Sequence, residues 1–289
     1  MRVETASEPG TPTRPNEDHV SLMLPASGRG GAFVVLDGVT PPEGDVGCAH
    51  GVPWYVGRLG GALLELAGSR REMTLAECLA EAVARTARAH RSTCDLSHPR
   101  TPQATVVAAR WDEESVEYLV LSDSVLLVEG VDGSVRAVRD TRLDALPPGV
   151  TALREAARAL PSGSPERATA AAEYVAAVEA LRNAPDGTGF HTAATDPAVA
   201  ALAVTGTVPR DGVRALLGLT DGASRWSEVF RAGDWADLCA LVHKEGPAGL
   251  IARVRAAEEA DPAGRSFPRG KPHDDATAVL VELPDRSDA

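Results

Sequence analysis

A short apolar run that ends in an Asp-Gly pair constrains this chain more than any other feature. Residues 32–36 (AFVVL) have no polar side chain on either face, which predicts a strand buried inside a sheet. The run delivers Asp37 to the rim of that sheet, where a carboxylate is costly unless a cation lies near it. Gly38 leaves its carbonyl open to a ligand. A bound metal would satisfy both groups, although Asp-Gly alone is also a common hairpin turn.

Length and charge exclude several classes of function. The 289 residues, 44% of them hydrophobic, can bury a core as one large domain or as two small ones. The net charge of −12 argues against a phosphate-backbone partner and against an anionic membrane surface. We therefore expect no nucleic acid and no membrane as a partner.

Neither the lysines nor the cysteines predict a familiar ligand site. Lys244 and Lys271 are the only lysines, and residues 264–271 (GRSFPRGK) lack the spacing of a phosphate-binding loop. The four cysteines form no C-x-x-C pair and have no histidine at zinc-finger spacing, which argues against structural zinc; they are Cys48, Cys78, Cys94 and Cys239. The chain also lacks an apolar signal core and a membrane-length apolar window, so we expect a cytoplasmic protein.

Hydrophobic patterns predict a mixed series of strands and helices. The alanine-rich stretch 150–183, broken at 161–165, is interpreted as an inserted segment on the surface, and residues 103–128 as a meander of three strands. Because strands follow in series and helices gather in pairs, an α+β layered domain is favoured. Strands are predicted over residues 2–5, 19–24, 32–36, 103–111, 116–121, 125–128, 212–219 and 276–283, and helices over residues 54–67, 75–90, 150–183, 235–243 and 247–260.

Acidic residues recur where the predicted strands end. Taken singly, each could cap a turn or lie in a solvated loop. Taken together, they offer the carboxylate oxygens that Mg²⁺ and Mn²⁺ prefer, and a water that bridges two such ions can act as a hydroxide nucleophile on a phosphate ester. The places are Glu17-Asp18, Asp37-Gly38, Asp221-Gly222 and Asp274-Asp275, with Asp123 in a turn as a fifth.

Six short motifs, in order along residues 16–283, resemble those of the metal-dependent Ser/Thr protein phosphatases of type 2C. They read NED, LDG, ATVV, LSDS, LTDG and HDDATAV. The resemblance implies two packed antiparallel β-sheets flanked by helix pairs, an α-β-β-α sandwich. It also implies a single domain over residues 1–283, with a variable flap within about residues 140–210 and a polar tail at 284–289.

The same resemblance implies a role for each acidic residue, and cofactors of two Mn²⁺ or Mg²⁺ ions with a weaker third. Thr105 matches a structural residue of the central strand. Asp37 would bridge the two metals, and the direct ligands would be completed by the Gly38 carbonyl, Asp221 and Asp274. Glu17 and Asp18 would hold a metal's waters and orient the bridging acid. Asp123 would bind the third ion together with Asp221.

Two positions depart from the family pattern. Val39 stands where some relatives have a histidine that can act as a general acid, and Thr13 stands where a phosphate-binding arginine is common. Arg14, one place later, becomes the candidate for that role because its planar fork suits a phosphoryl group.

The residues and the resemblance together predict an enzyme that hydrolyses phosphoserine and phosphothreonine on proteins. Its partner would be a phosphorylated protein in bacterial signal transduction, and we expect a monomer. The alternative is a catalytically weak module of the same fold that binds a phosphoprotein. Intact Asp37, Asp221 and Asp274 favour the enzyme, whereas Val39 and the displaced arginine favour the module.

Overall fold

Two antiparallel sheets form the centre of the fold in a computed structural model that describes residues 1–27, 29–160 and 164–284. The strands are β1 (Arg2–Glu8), β2 (His19–Met23), β3 (Gly31–Gly38), β4 (Ala104–Trp111), β5 (Ser115–Leu121), β6 (Val125–Gly130), β7 (Val135–Arg139), β8 (Val204–Pro209), β9 (Val213–Leu219) and β10 (Ala276–Glu282). The α-helices are α1 (Val52–Ser69), α2 (Leu75–His90), α3 (Pro148–Ala159), α4 (Pro165–Leu181), α5 (Asp221–Glu228) and α6 (Trp235–Ala260).

The elements stack in four layers. Sheet A has the strand order β1-β10-β9-β6-β7, and sheet B has the order β2-β3-β4-β5-β8. One apolar cluster lies between the sheets, a second lies between sheet B and helices α1 and α2, and a third lies between sheet A and helices α5 and α6. This arrangement confirms the expected fold class, an α+β sandwich of two antiparallel sheets flanked by helix pairs.

Strand β3 is buried on both faces, as its apolar run predicts. Phe33 and Val35 point between the sheets, whereas Val34 and Leu36 point towards helices α1 and α2, and all four are 0% exposed. Burial of each such side chain stabilises the fold by about 1.5–3 kcal/mol. Because side chains alternate along a strand, Asp37 falls on the inter-sheet side, at the edge of the inter-sheet core.

Helix α2 begins at a capping box. The backbone N–H of Glu77 donates to Thr74 Oγ1 (3.2 Å), and the backbone N–H of Thr74 donates back to Glu77 Oε2 (2.7 Å). Such a box satisfies two donors that a helix start leaves unpaired. The predicted helix at 75–90 is confirmed, and α1 extends two residues beyond each end of its prediction.

The predicted meander is wrong in its third strand. β4 pairs with β5 in sheet B, but β6 pairs with β7 and β9 in sheet A. Ser122, whose φ is 69°, lies where the chain leaves one sheet for the other. Asp123 therefore lies at a crossover between the sheets and not in a hairpin turn, because hydrophobic periodicity identifies a strand but not its partner.

Three elements were not predicted. β7 and β8 are edge strands, and β8 alternates half-buried and exposed residues with a glycine inside, which weakens the strand pattern. Helix α5 begins at Asp221, so the second Asp-Gly pair opens a helix and not a turn. The two helices predicted at 235–243 and 247–260 are the two halves of α6, and the non-helical Gly246 (φ 75°) separates them where the break was predicted.

Helices α3 and α4 pack against each other as a hairpin, called here the α3–α4 hairpin. Helix α4 has no buried residue, which agrees with a segment on the surface. The break predicted at 161–165, the turn residue Gly28 and the polar tail lie partly outside the described residues, which omit 28, 161–163 and 285–289. Within the described ranges, no helix is both long and apolar enough to cross a membrane.

Candidate metal and phosphate site

The ends of strands from both sheets bring the acidic residues together. Register pairs Asp37 with Thr105 across β3 and β4, and His19 with Leu36 across β2 and β3, so that Asp18 lies beside the end of β3. Four of the predicted acids and one carbonyl residue line a single cleft with a volume of about 300 Å³. They are Asp37, Gly38, Asp123, Asp221 and Asp274.

A layer of hydroxyl groups lies below these acids, where the inter-sheet core ends. Thr105 Oγ1 and Ser124 Oγ share a hydrogen bond of 2.5 Å. Thr220 Oγ1 donates to Asp18 Oδ2 (3.0 Å) and accepts from the backbone N–H of Thr277 (2.9 Å). Asp18 is only 9% exposed, and its other oxygen, Oδ1, has no hydrogen-bond partner within the described ranges. An unsatisfied buried carboxylate oxygen favours a nearby cation or water.

Burial and mutual repulsion raise the pKa of several carboxyl groups. Burial raises the pKa of Asp37 well above its ordinary value, and Asp221, Asp18 and Asp123 raise it further. Burial raises the pKa of Asp18 to about 8, against hydrogen bonds from Thr277 and Thr220 that lower it. Burial and the charge of Asp221 bring the pKa of Asp123 to about 7. Carboxyl groups held this way keep their protons unless a cation replaces them.

The donor set fits a hard divalent cation. Four aspartates supply carboxylate oxygens to the cleft, and no histidine or cysteine occurs among the described residues that line it. Mg²⁺ and Mn²⁺ prefer such ligands, whereas zinc prefers nitrogen and sulfur. The close packing also requires Gly38, because a side chain there would overlap Val52 and the backbone carbonyl of Glu17.

Asp274, however, already has two cationic partners. Its Oδ2 accepts from Arg225 Nη2 (2.8 Å), and its Oδ1 accepts from Lys271 Nζ (2.8 Å). Arg225 lies one helical turn after Asp221 and also pairs with Glu258, which is fully buried (Nη1 to Oε1, 2.7 Å). Asp274 is therefore the acid of the cleft whose negative charge is most directly balanced by ion pairs within the protein.

Glu17 and Arg14 lie in a smaller hollow beside the cleft. Glu17 Oε2 accepts from Thr40 Oγ1 (2.5 Å), which in turn accepts from Lys271 Nζ (3.1 Å). Arg14 lines this hollow with Glu17 and Lys271, is exposed, and makes no side-chain hydrogen bond or ion pair among the residues that the structure describes. Its guanidinium is therefore available to a ligand. Asp275 has another role, since it accepts the backbone N–H groups of Gly10 (2.7 Å) and Glu17 (2.6 Å).

Three cationic residues of the cleft were missed from the sequence, and Arg225, described above, is one of them. Lys271 lines it, and although burial opposes its charge, Asp274 and neighbouring acids hold its pKa above the ordinary value. Arg182, directly after α4, also lines the cleft, with its guanidinium 5.5 Å from the centre of the Phe190 ring. Its Nε is buried without a partner in the described part of the chain, and burial lowers its pKa. Only its position after an alanine-rich helix could have pointed to Arg182.

Val39 also lines the cleft, directly after the Asp37-Gly38 pair. Its backbone N–H donates to the carbonyl of Gln103 (2.9 Å), which fixes the chain as it leaves β3. A valine side chain has no proton to donate, so this position cannot supply a general acid.

Comparison with known proteins identifies the fold. No protein-family model matches the chain, and the search of curated proteins gave no significant match. The serine/threonine phosphatase Stp1 from Staphylococcus aureus superposes with a TM-score of 0.54 at 13% identity, over 98% of this chain and 94% of that one. The Mycobacterium tuberculosis serine/threonine phosphatase PstP/Ppp gives 0.55 at 17% identity, over 98% of both chains.

A further solved structure is the catalytic domain of the serine/threonine protein phosphatase PstP in complex with two manganese ions. It superposes with a TM-score of 0.53 at 15% identity, over 98% of both chains. These likenesses show that the chain has the fold of the type 2C serine/threonine phosphatases.

Proposed function

We propose that this protein is a Mg²⁺- or Mn²⁺-dependent phosphatase that hydrolyses phosphoserine and phosphothreonine on proteins. The observation that carries the proposal is the convergence of four aspartates and the Gly38 carbonyl on one cleft, where burial and repulsion raise the pKa of Asp37, Asp123 and Asp221. Bound cations would offset that repulsion and stabilise the ionised carboxylates in the folded protein. The fold and the names of its structural neighbours support a phosphoprotein as the substrate.

The residues that would hold the ions are those that line the cleft. Asp37 and the Gly38 carbonyl would bind the ions at the end of β3, and Asp221 and Asp274 would bind them beside the ends of sheet A strands. Asp123 would hold a weaker third ion together with Asp221. Bound ions of this kind activate a water for attack on phosphorus and neutralise charge on the phosphoryl oxygens. The manganese ions in the PstP structure support this choice of metal.

The remaining residues would bind and orient the substrate. Asp18 and Glu17 would hold the acids and waters around Asp37, since Asp18 Oδ1 is buried with no hydrogen-bond partner among the described residues and Glu17 accepts from Thr40. Arg182 and Lys271 would contact the phosphoryl oxygens, because both are cationic and line the cleft. Arg14 would contact the phosphoryl group or the peptide beside it from the neighbouring hollow.

We further propose that residues 1–283 act as one monomeric phosphatase domain, with the α3–α4 hairpin as its variable flap. Arg182 follows this hairpin directly, so the hairpin would form the wall of the cleft that meets the protein substrate. A flap with few buried residues can adapt to different partners at little cost to the core.

Hydrolysis of p-nitrophenyl phosphate tests the proposal. We expect turnover with Mn²⁺ or Mg²⁺, none in excess chelator, and recovery when Mn²⁺ is restored. Asp221→Asn should abolish turnover, whereas Asp211→Asn, an exposed acid outside the cleft, should not. Full turnover in excess chelator would contradict the proposal, as would a wild-type protein that is inactive with both metals.

The pairing of Asp274 favours a second candidate, a module that binds phosphoproteins without turnover. Arg225 and Lys271 compensate the charge of Asp274 and would compete with a metal for it. The module would bind a phosphothreonine peptide in excess chelator and would show no phosphate release with Mn²⁺. Fluorescence anisotropy of a labelled peptide, measured beside phosphate release, separates the two candidates.

A further inference from the structure

A second group of potential metal ligands lies outside the acidic cleft. Cys48 and His50 belong to the segment between β3 and α1, His90 is the last residue of α2, and Cys94 follows it by one turn. One ligand atom from each of the four lies within 4.8 Å of the others. None of the four lines the cleft, so this group is not part of the site proposed above.

Four of the six distances within this group are close to those of a tetrahedral zinc site. Cys48 Sγ lies 3.2 Å from Cys94 Sγ, 3.5 Å from His90 Nδ1 and 3.8 Å from His50 Nδ1. His50 Nδ1 lies 3.3 Å from Cys94 Sγ. Zn–S bonds of about 2.3 Å and Zn–N bonds of about 2.0–2.1 Å in a tetrahedron separate the ligand atoms by about 3.3–3.8 Å. The two sulfur atoms lie about half an ångström closer than zinc would hold them, so they would move apart to admit the ion.

The burial of His90 gives an independent reason for a ligand. The residue is 1% exposed, and its Nδ1 faces the thiol of Cys48. An imidazole buried against weakly polar thiols is costly, and a bound metal would offset that cost. Both cysteines are free, so no disulfide uses them.

The surroundings hold the four side chains in place. The Trp54 ring stacks on His50 at 4.2 Å between centroids and lies 5.1 Å from the His90 ring, so it packs against both imidazoles. The backbone N–H of Asp95 donates to the carbonyl of Gly47 (2.7 Å), and the N–H of Cys94 donates to the carbonyl of His90 (3.0 Å). The first bond holds the two chain segments side by side, and the second fixes the turn between His90 and Cys94.

We propose that Cys48, His50, His90 and Cys94 bind one Zn²⁺ in a closed structural site. Thiolate and imidazole ligands select zinc over the hard cations of the acidic cleft, and four protein ligands leave no open position for catalysis. Binding would release the two thiol protons to solvent, and two thiolates would balance the charge of the ion. The site would clamp the segment after Asp37-Gly38 to the end of α2, and that segment starts with Val39 and Thr40 of the cleft.

Native mass spectrometry and elemental analysis of the purified full chain test this proposal. We expect one zinc per chain, released when an organomercurial blocks the thiols and detected with a metallochromic dye. Cys94→Ser and His90→Asn should lose the ion and lower Tm by several degrees. Cys78→Ala, a buried cysteine of the same helix α2 outside the group, should retain it. Asp37→Asn should also retain it, which separates this site from the cleft.

Cobalt substitution of the wild type keeps the test independent of variants that fail to fold. Tetrahedral Co²⁺ bound to two thiolates should give intense visible bands and a thiolate charge-transfer band in the near ultraviolet. A wild-type chain that binds neither Zn²⁺ nor Co²⁺ with its thiols reduced would overturn the proposal. So would peptide mapping that finds a Cys48–Cys94 disulfide in the protein as isolated from cells.

Discussion

Asp37 owes its position to features that are visible in the sequence. The run of apolar residues before it predicts a buried strand, and side-chain alternation then places the carboxylate at the edge of the inter-sheet core. The cationic residues near Asp37 could not be predicted from the sequence. Lys271 and Arg182 reach the cleft from loops far away in the sequence, and no spacing rule connects them to Asp37.

Arg14→Ala tests the residue proposed to bind near the phosphoryl group. Because the Arg14 guanidinium has no side-chain partner within the described residues, its loss should leave the fold and the metals unchanged. We expect KM for a phosphothreonine peptide to rise several-fold with kcat little altered, since an arginine fork contributes charge-assisted hydrogen bonds to phosphate. Arg88→Ala, on the outer side of α2, is the control; equal KM values for the two variants would remove Arg14 from the site.

Lys271→Gln tests the competition for Asp274. The ammonium group lies 2.8 Å from Asp274 Oδ1, so removing its charge should leave that oxygen free for a divalent cation. We expect calorimetry to show tighter binding of Mn²⁺ and steady-state kinetics to show a higher KM for the phosphopeptide. Lys244→Gln, the only other lysine and an exposed one, should change neither quantity. Weaker binding of Mn²⁺ by Lys271→Gln would contradict this account of Asp274.

At the scale of elements, the α3–α4 hairpin is attached to the rest of the fold by few contacts. Asn183 follows α4 with a φ of 52°, and its side chain donates to the carbonyl of Thr192 (3.1 Å) and accepts from the N–H of Thr192 (3.0 Å). Arg100 pairs with Glu179 of α4 at 3.1 Å. Elements held by so few contacts open locally at low cost.

Asn183→Gly should therefore loosen the hairpin without unfolding the core. Glycine tolerates the left-handed backbone of this position but removes the hydrogen bonds to Thr192. We expect faster amide hydrogen exchange in α3 and α4, with Tm changed by only a few degrees. Thr188→Ala, which loses only a local bond to Asp186, is the control. Unchanged exchange in α4 would mean that other contacts hold the hairpin.

Elements were easier to predict than their partners. The helix from residue 75 to about 90 was predicted from its apolar stripe, and the structure adds a capping box at its start. The sheet to which β6 belongs depends on the crossover at Ser122 and Asp123, which no local pattern shows. The cysteine spacing did not predict the group of possible zinc ligands from Cys48 to Cys94. Spacing rules detect ligands that are close in sequence, whereas this group joins two distant segments.

At the scale of the whole molecule, the cleft exists only when the two sheets pack together. Asp37 comes from sheet B, Asp221 and Asp274 follow or precede strands of sheet A, and Asp123 lies on the crossover between the sheets. Folding therefore forces carboxyl groups from both sheets into one volume. The free energy of that confinement should depend on pH and on divalent cations.

The metal-free protein should lose stability as the pH rises from about 5 to about 8. Asp18 and Asp123 have pKa values of about 8 and about 7 in the folded chain, against about 3.9 for an unfolded aspartate, so the folded state binds more protons in this window. The free energy of unfolding then falls with pH until these groups have ionised. Saturating Mn²⁺ should flatten the dependence because the cation replaces the protons.

Thermal melts of the wild type and Asp18→Asn across this window measure the effect. The variant lacks the titrating group, so its Tm should fall less with pH, while histidines that titrate in the same range contribute equally to both proteins. A metal-free wild type whose Tm rises relative to that of Asp18→Asn between about pH 5 and about pH 8 would contradict the assignment.

Phosphate release by Asp37→Asn tests the central claim most directly. The substitution keeps the size of the side chain but removes the charge at the point where the acids of both sheets meet, and the strand before it should keep the fold intact. With saturating Mn²⁺ and a phosphothreonine peptide, we expect the wild type to turn over and kcat of Asp37→Asn to fall by several orders of magnitude at an unchanged circular dichroism spectrum. A well-folded Asp37→Asn with near-normal kcat would contradict the account of this cleft as a metal-dependent active site.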